Sequence, residues 1–174
     1  MTDYDLAILG GGPGGYVAAI RGAQLGLKTC IIEKDKLGGI CLNWGCIPTK
    51  ALLKNAEVYN TIKNADKYGI KVDKISVDFP ANIKRSRDVS NRLSKGIEFL
   101  MKKNKITHIH GMGKLTSKTT IETTSSKKKE KVNAEKIIIA TGARPRSFPG
   151  MEFDGKRVIS SKEAMMLDLS LIHI

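Results

Sequence analysis

Cysteine is scarce in this chain, with three residues among 174. That excludes the disulfide-dense secreted scaffold, in which many bridges stand in for a core. Aromatic residues make up only 5%, too few for the ring platforms on which single-stranded nucleic acid stacks. No apolar run reaches the roughly 18 residues that a membrane-spanning helix needs. Met1 leads straight into Tyr4-Asp5-Leu6-Ala7-Ile8-Leu9, without a basic leader, a small-residue cleavage site or an Arg/Ser-rich presequence. The expectation is a cytoplasmic protein without a membrane partner. Acidic residues are also few, 17 against 30 Lys and Arg, for a net charge of +13. Such an excess raises nucleic acid as a partner, but the charge is scattered. Its densest patch, Lys127-Lys128-Lys129-Glu130-Lys131, reads as a solvated hairpin tip, so no nucleic acid is expected.

Two of the three cysteines stand in one run, Gly38-Gly39-Ile40-Cys41-Leu42-Asn43-Trp44-Gly45-Cys46-Ile47-Pro48-Thr49-Lys50. A regular helix would hold their Cα atoms about 7.5 Å apart along its axis. A disulfide wants them about 4.4–6.8 Å apart, so the segment must tighten, and Gly45 supplies backbone freedom beside the second thiol. A small, distorted ring is easily reduced, which suits a redox catalyst and not a structural staple. Zinc is the rival for paired cysteines, but the spacing is wrong and no second Cys/His pair follows, so no metal is expected. Cys30 lies in an apolar stretch and reads as a buried strand residue.

Periodicity outlines an α/β chain. Residues 4–9 read as a buried strand. A helix follows to about Leu25, with Val17, Ala18, Ile20, Ala23 and Leu25 as its apolar contacts and Gly26 as its stop. Residues 29–33 form a second strand and close a βαβ unit. One helix then runs through the cysteine segment to about Asn64, and residues 68–77 are an irregular connection. Pro80 opens a long helix with Ile83, Val89, Leu93, Ile97, Leu100 and Met101 on an apolar stripe, ending near Asn104. Short strands are expected at 106–110, 113–116, 120–123 and 131–133. Ile137-Ile138-Ile139-Ala140-Thr141-Gly142 reads as a separate, buried final strand ending in a tight turn. His108 and His110 fall on one side of their strand, facing solvent.

Gly10, Gly12 and Gly15 satisfy G-x-G-x-x-G, a weak signal alone. Here it follows a buried strand, opens a helix and has an acid, Glu33, at the end of the next strand. Gly10 allows the tight turn, Gly12 lets backbone approach a pyrophosphate, and Gly15 lets helix pack on strand. Free N–H groups at the helix start face the phosphates, and Glu33 accepts hydrogen bonds from a ribose. A dinucleotide fold followed by a redox disulfide needs an electron carrier between nicotinamide and sulfur, which points to FAD. Lys50 lies one helical turn beyond Cys46, where its cation could stabilise reduced flavin or thiolate, or could simply be solvated.

The chain closely resembles the N-terminal part of flavoprotein disulfide reductases of the glutathione-reductase-like family. The resemblance runs from Tyr4 to about Leu167 and is most specific from Gly39 through the cysteines to Leu53. Leu42, Ile47 and Thr49 resemble the branch that oxidises dihydrolipoamide, whereas glutathione and mercuric reductases usually carry valine at the first two positions. The resemblance implies a Rossmann-like FAD domain with a parallel sheet and a small antiparallel meander. It implies FAD held by Gly10, Gly12, Gly15 and Glu33, with residues 33–41, including Lys34 and Gly39, along it. Lys50 would lie near the flavin ring, Gly113 near the adenine, and Thr141 and Gly142 would form a second flavin motif. Cys41 would be the interchange thiol that meets substrate, and Cys46 the thiol beside the flavin. Trp44 reads as a harmless variation.

The implied activity is oxidation of protein-bound dihydrolipoamide, with FAD bound and NAD as acceptor. The implied partners are lipoyl domains of 2-oxoacid dehydrogenase complexes or a glycine cleavage lipoyl protein, and the full-length form is expected to be a homodimer. The alternatives are a sister disulfide reductase and a non-catalytic FAD-binding redox fragment. Residues 1–145 are expected to be the N-terminal part of the FAD domain, and 146–168 a linker toward an NAD domain. The family's histidine base and dimer-interface domain would lie beyond this chain. Residues 169–174 look foreign to the family and match the translation of a sequencing adapter.

Overall fold

The computed structural model describes residues 3–125 and 129–169. The lysine-rich tip at 126–128 and most of the suspected adapter segment, 170–174, lie outside the described residues. The chain divides into two compact units, one made of residues 1–43 and 92–144 and the other of 44–91 and 145–174.

The first unit holds a six-stranded mixed sheet. Its strands are β1 (Tyr4–Leu9), β2 (Thr29–Glu33), β3 (Thr107–His110), β4 (Met112–Leu115), β5 (Thr120–Thr124) and β6 (Lys129–Ile139), in the spatial order β3-β2-β1-β6-β5-β4. The first three and the end of β6 run parallel, while β4, β5 and the start of β6 form an antiparallel meander. Helix α1 (Pro13–Gln24) connects β1 to β2. Its chain neighbour β2 lies on one side of β1 and the late strand β6 on the other. The C-terminal end of β1 is therefore a switch point, where α/β sheets leave a crevice for ligands. Ile8, Ile31, Ile32, Cys30, Ile121 and Ala134 are almost wholly excluded from solvent and form the sheet's core. Cys30 is a buried strand residue, as expected.

Helix α1 buries a different face from the one its apolar residues outline. Val17 and Leu25 are exposed, and the buried residues are Gly15, Ala19 and Gly22. Close packing explains the reversal: a Cβ on Gly22 would stand 2.7 Å from Leu6 Cδ2. Small residues let the helix axis approach the sheet, and the large ones are displaced outward.

The expected strands at 131–133 and 137–142 are one strand. Lys129–Asn133 pairs antiparallel with β5, and Ala134–Ile139 continues parallel to β1. The expected burial of the final segment also fails, since Ile138 is 39% and Ile139 62% exposed. Beyond Asn133, no strand pairs with β6 on the side away from β1 among the described residues. The alternation Val132, Ala134 inward marks the face that the meander shares with the core.

The single helix expected through the cysteine segment is two, α2 (Gly39–Trp44) and α3 (Cys46–Lys63), interrupted at Gly45. In the second unit α3 is followed by a 3₁₀ turn (Ala65–Tyr68), which Gly69 ends in the left-handed region at φ 74°. The long helix α4 (Phe79–Lys103) begins beside Pro80 as expected. Its apolar stripe is only partly right: Ile97 and Met101 are buried, but Leu93 is 38% exposed. Ser86, Ser90 and Ser94, spaced four apart, are buried in its place. Helix α5 (Ser161–Ala164) starts at a capping box, with Lys162 N–H donating to Ser160 Oγ and Ser160 N–H to Glu163 Oε2. No described helix is long and apolar enough to cross a membrane.

The two kinds of isoleucine give a stability contrast. Ile31→Ala, at a fully buried site, is expected to cost about 2–5 kcal/mol. Ile139→Ala should stay within about 0.5 kcal/mol. Urea unfolding followed by circular dichroism measures both, and equal losses would show that β6 is covered in solution.

A dinucleotide cradle joined to a dithiol segment

Beyond β1 the chain turns at Gly10, whose φ is 109° and whose N–H donates to the Ile32 carbonyl at 2.8 Å. A Cβ there would lie 2.2 Å from the Ala140 carbonyl oxygen. Gly15 meets the same loop from the helix: its Cβ would lie 1.8 Å from the Gly10 oxygen. The two glycines thus hold β1, α1 and the end of β6 at backbone contact. Gly12 is the residue before α1, and no side chain caps the helix. A Cβ on Gly12 or Gly14 would meet nothing closer than 3.9 Å, so the space over the first turn is open. The first turn carries no acid, and Pro13 has no N–H to give. The N–H groups of the first turn have no partner within the helix, and they add to the positive end of its dipole. A helix start of this kind is suited to an anion.

Glu33 stands at the rim, half-buried at the end of β2. Its Oε2 accepts the Gly11 N–H at 2.7 Å, and its Oε1 accepts the Asp35 N–H at 2.8 Å. The carboxylate therefore braces the glycine loop and keeps further lone pairs as acceptors. Lys34 is exposed beside it. Gly39 reaches the cradle from the cysteine segment, with φ 57° and a Cβ position only 2.6 Å from Gly12 Cα. The Gly38 N–H donates to the Gly11 carbonyl at 2.8 Å.

Thr141 and Gly142 follow β6 past Gly10. Gly142 turns with φ 72°, and Thr141 Cα lies 3.0 Å from the Cβ position of Gly10. Gly113 sits on β4, where a Cβ would strike Leu9 Cδ1 at 2.3 Å and press on Ile121 and Ile32 at 3.2 Å. Its lack of a side chain has a packing cause in the core. His108 and His110 share one side of β3, exposed, with rings 6.5 Å apart edge to face.

All three cysteines carry thiols in this structure. Cys41 is half-buried on α2, and Cys46 is exposed at the first position of α3. Cys46 opens an 18-residue helix with no acid in its first turn. Lys50 is exposed one turn along α3. Cys30 differs: burial pushes its thiol up to about 12, with Asp3 adding to the shift.

Three features of this region escaped sequence reading. Asn43 is buried and donates to the Leu37 and Gly39 carbonyls. Ser94, also buried, donates to the same Leu37 carbonyl. In the second unit, Trp44 has Arg87 over its ring at 4.9 Å and Lys162 at 4.3 Å, which makes it an anchor for cations. The spacing of serines at 86, 90 and 94 was the one signal available for Ser94.

Iodoacetamide at pH 8 under native conditions is expected to label Cys46 fastest and Cys41 more slowly. Cys30 should resist until the protein unfolds, since it is neutral and buried. Peptide mass spectrometry reads the order, and early labelling of Cys30 would mean that the sheet opens.

Comparison with known proteins agrees with this geometry. The family model described as "Pyridine nucleotide-disulphide oxidoreductase" matches residues 4–173. The dihydrolipoyl dehydrogenase of Zymomonas mobilis is 50% identical over 95% of this chain and 36% of its own length. That of Chlorobaculum parvum is 48% identical over the same shares, and that of Bacillus subtilis is 46% identical over 96% of this chain and 37% of its own. The chain therefore spans about a third of the length of the curated relatives it matches. With a dinucleotide cradle, a dithiol segment in contact with it and a family match along nearly the whole chain, this chain belongs to the pyridine nucleotide-disulphide oxidoreductases.

Proposed function

We propose that this chain is part of a dihydrolipoyl dehydrogenase that oxidises protein-bound dihydrolipoamide at a Cys41/Cys46 redox pair. The observation that carries this reading is the contact of Gly39 with Gly12, which joins the dithiol segment to the dinucleotide cradle. Family membership implies FAD and NAD(H) as the cofactors. The open first turn of α1, its uncapped N–H groups and the braced Glu33 fit the adenosine pyrophosphate of FAD. We assign Gly10, Gly12, Gly15, Glu33, Lys34 and Gly39 to that half, Gly113 to the adenine end, and Lys50, Thr141 and Gly142 to the flavin half. When bound, FAD supplies the relay between two-electron thiol chemistry and a hydride acceptor.

The chain's own chemistry is thiol–disulfide exchange. One substrate thiolate attacks Cys41 of the oxidised pair, and the Cys41–Cys46 bond breaks with Cys46 leaving as thiolate. The second substrate thiolate attacks the mixed disulfide, releasing cyclic lipoamide and leaving Cys41 reduced. Two electrons pass from substrate to the pair, and the two substrate protons go to base and solvent. Lipoyl domains of 2-oxoacid dehydrogenase complexes or the glycine cleavage lipoyl protein fit as partners, and a homodimer as the whole protein's form. Residues 1–145 are assigned to the FAD domain and 146–168 to the path toward the rest of the protein.

The full-length protein is expected to form NADH from dihydrolipoamide and NAD in a spectrophotometric assay. Turnover of glutathione disulfide or mercuric ion, with none of dihydrolipoamide, would move the assignment to a sister enzyme.

The two cysteines should also be separable. Cys41→Ser and Cys46→Ser each abolish turnover, but Cys46→Ser should alter the visible absorbance of bound FAD in the reduced protein more than Cys41→Ser. Identical reduced spectra would refute the assignment of Cys46 to the flavin side.

A further inference from the structure

The Leu37 carbonyl is the meeting point of two side-chain donors. Asn43 Nδ2 reaches it at 3.2 Å and Ser94 Oγ at 2.7 Å, and the same Asn43 amide donates to the Gly39 carbonyl at 2.9 Å. Leu37, Ser94 and Asn43 are 1%, 3% and 4% exposed. At that depth an acceptor that loses its donor has little chance of water in exchange.

The opposite side of the same turn is fixed to the glycine loop. Gly38 donates to Gly11, and Gly39 abuts Gly12. Gly38 and Gly39 have φ of 99° and 57°, a left-handed pair that offers little preference of its own for one conformation. Asn43 and Ser94 therefore hold the turn from behind while the glycine loop meets it in front. Cys41 lies on α2 between Gly39 and Asn43, the two ends of one of these hydrogen bonds. A displacement of the turn is thus a displacement of Cys41.

Resting on the reading that the glycine loop holds the FAD pyrophosphate, we propose that Asn43 and Ser94 are positioning residues that couple occupancy of that loop to the reactivity of Cys41. Ser94 acts from α4 through the Leu37 carbonyl, and Asn43 acts from α2 through Leu37 and Gly39. On this arrangement FAD in the loop alters the reactivity of Cys41, and a substitution that loosens the turn weakens FAD.

The test uses the full-length protein as wild type, Ser94→Ala, Ser94→Thr and Asn43→Ala. FAD affinity is titrated on apoprotein by flavin fluorescence. The alkylation rate of Cys41 by iodoacetamide is measured by peptide mass spectrometry on the reduced protein, with and without FAD. In the wild type, FAD should change the Cys41 rate several-fold. Loss of the one hydrogen bond in Ser94→Ala should weaken FAD about three- to tenfold and shrink the FAD effect on Cys41. Ser94→Thr keeps the hydroxyl and should restore both. Asn43→Ala should do more, and if it fails to fold, the serine pair still decides. Wild-type values of both readouts in Ser94→Ala, or weakened FAD with the FAD effect on Cys41 intact, would overturn the proposal. A wild-type protein that binds no FAD would instead overturn the functional reading beneath it.

Discussion

Everything in the first unit hangs on backbone touching backbone at four glycines. The Gly10 oxygen occupies the place of a Cβ on residue 15, and Gly12 stands against Gly39. No side chain can be fitted into either contact without moving a strand or a helix. The first contact pins α1 to the end of β1, and the Ala140 carbonyl against Gly10 pins β6 to the same point. The second brings the cysteine segment to the helix N-terminus. The anion cradle is what remains open once these contacts are made: uncapped N–H groups, no acid in the first turn, and no side chain in the way.

That constraint explains which parts of the fold were legible in the sequence. β1 and β2 were read to the residue because they are buried runs ending at the glycine loop and at Glu33. The glycine motif was legible through its context, strand before and helix after. The burial of α1 was not, because a helix held at backbone contact buries its small residues, and hydrophobicity then points away from the packed face. The same competition appears on α4, where buried serines share the packed side with Ile97 and Met101 and Leu93 is turned outward. A small side chain with an internal hydrogen bond, such as Ser86 to the Ile83 carbonyl, can be covered at little cost.

β6 is hard to read from sequence for another reason. Its two halves serve different partners, the first antiparallel to β5 and the second parallel to β1. The polar residues Asn133, Glu135 and Lys136 between its two apolar pieces look like a turn when only periodicity is available. They fall where the strand leaves the meander and enters the parallel sheet. The exposed Ile138 and Ile139 follow from the same handover, since β5 no longer flanks the strand there. Among the described residues that end of β6 keeps one edge without a pairing strand, the feature of a sheet that most readily takes up further chain.

The two halves of the candidate site rest on different kinds of chemistry, and that difference sets how each tolerates change. The cradle is built from peptide groups, so it depends on residues that are absent as side chains and is indifferent to most others. The dithiol segment depends on side chains placed by a helix start: Gly45 breaks the helix, so Cys46 gains a fresh N-terminus and its dipole. Trp44, directly before that break, is gripped by Arg87 and Lys162, contacts that a shorter apolar residue could not make. The glycine at 45 fixes where the second helix begins, and the indole at 44 fixes what holds the chain just before it. A motif read only as a pair of cysteines omits both, although a thiol is only as reactive as the backbone that aims it.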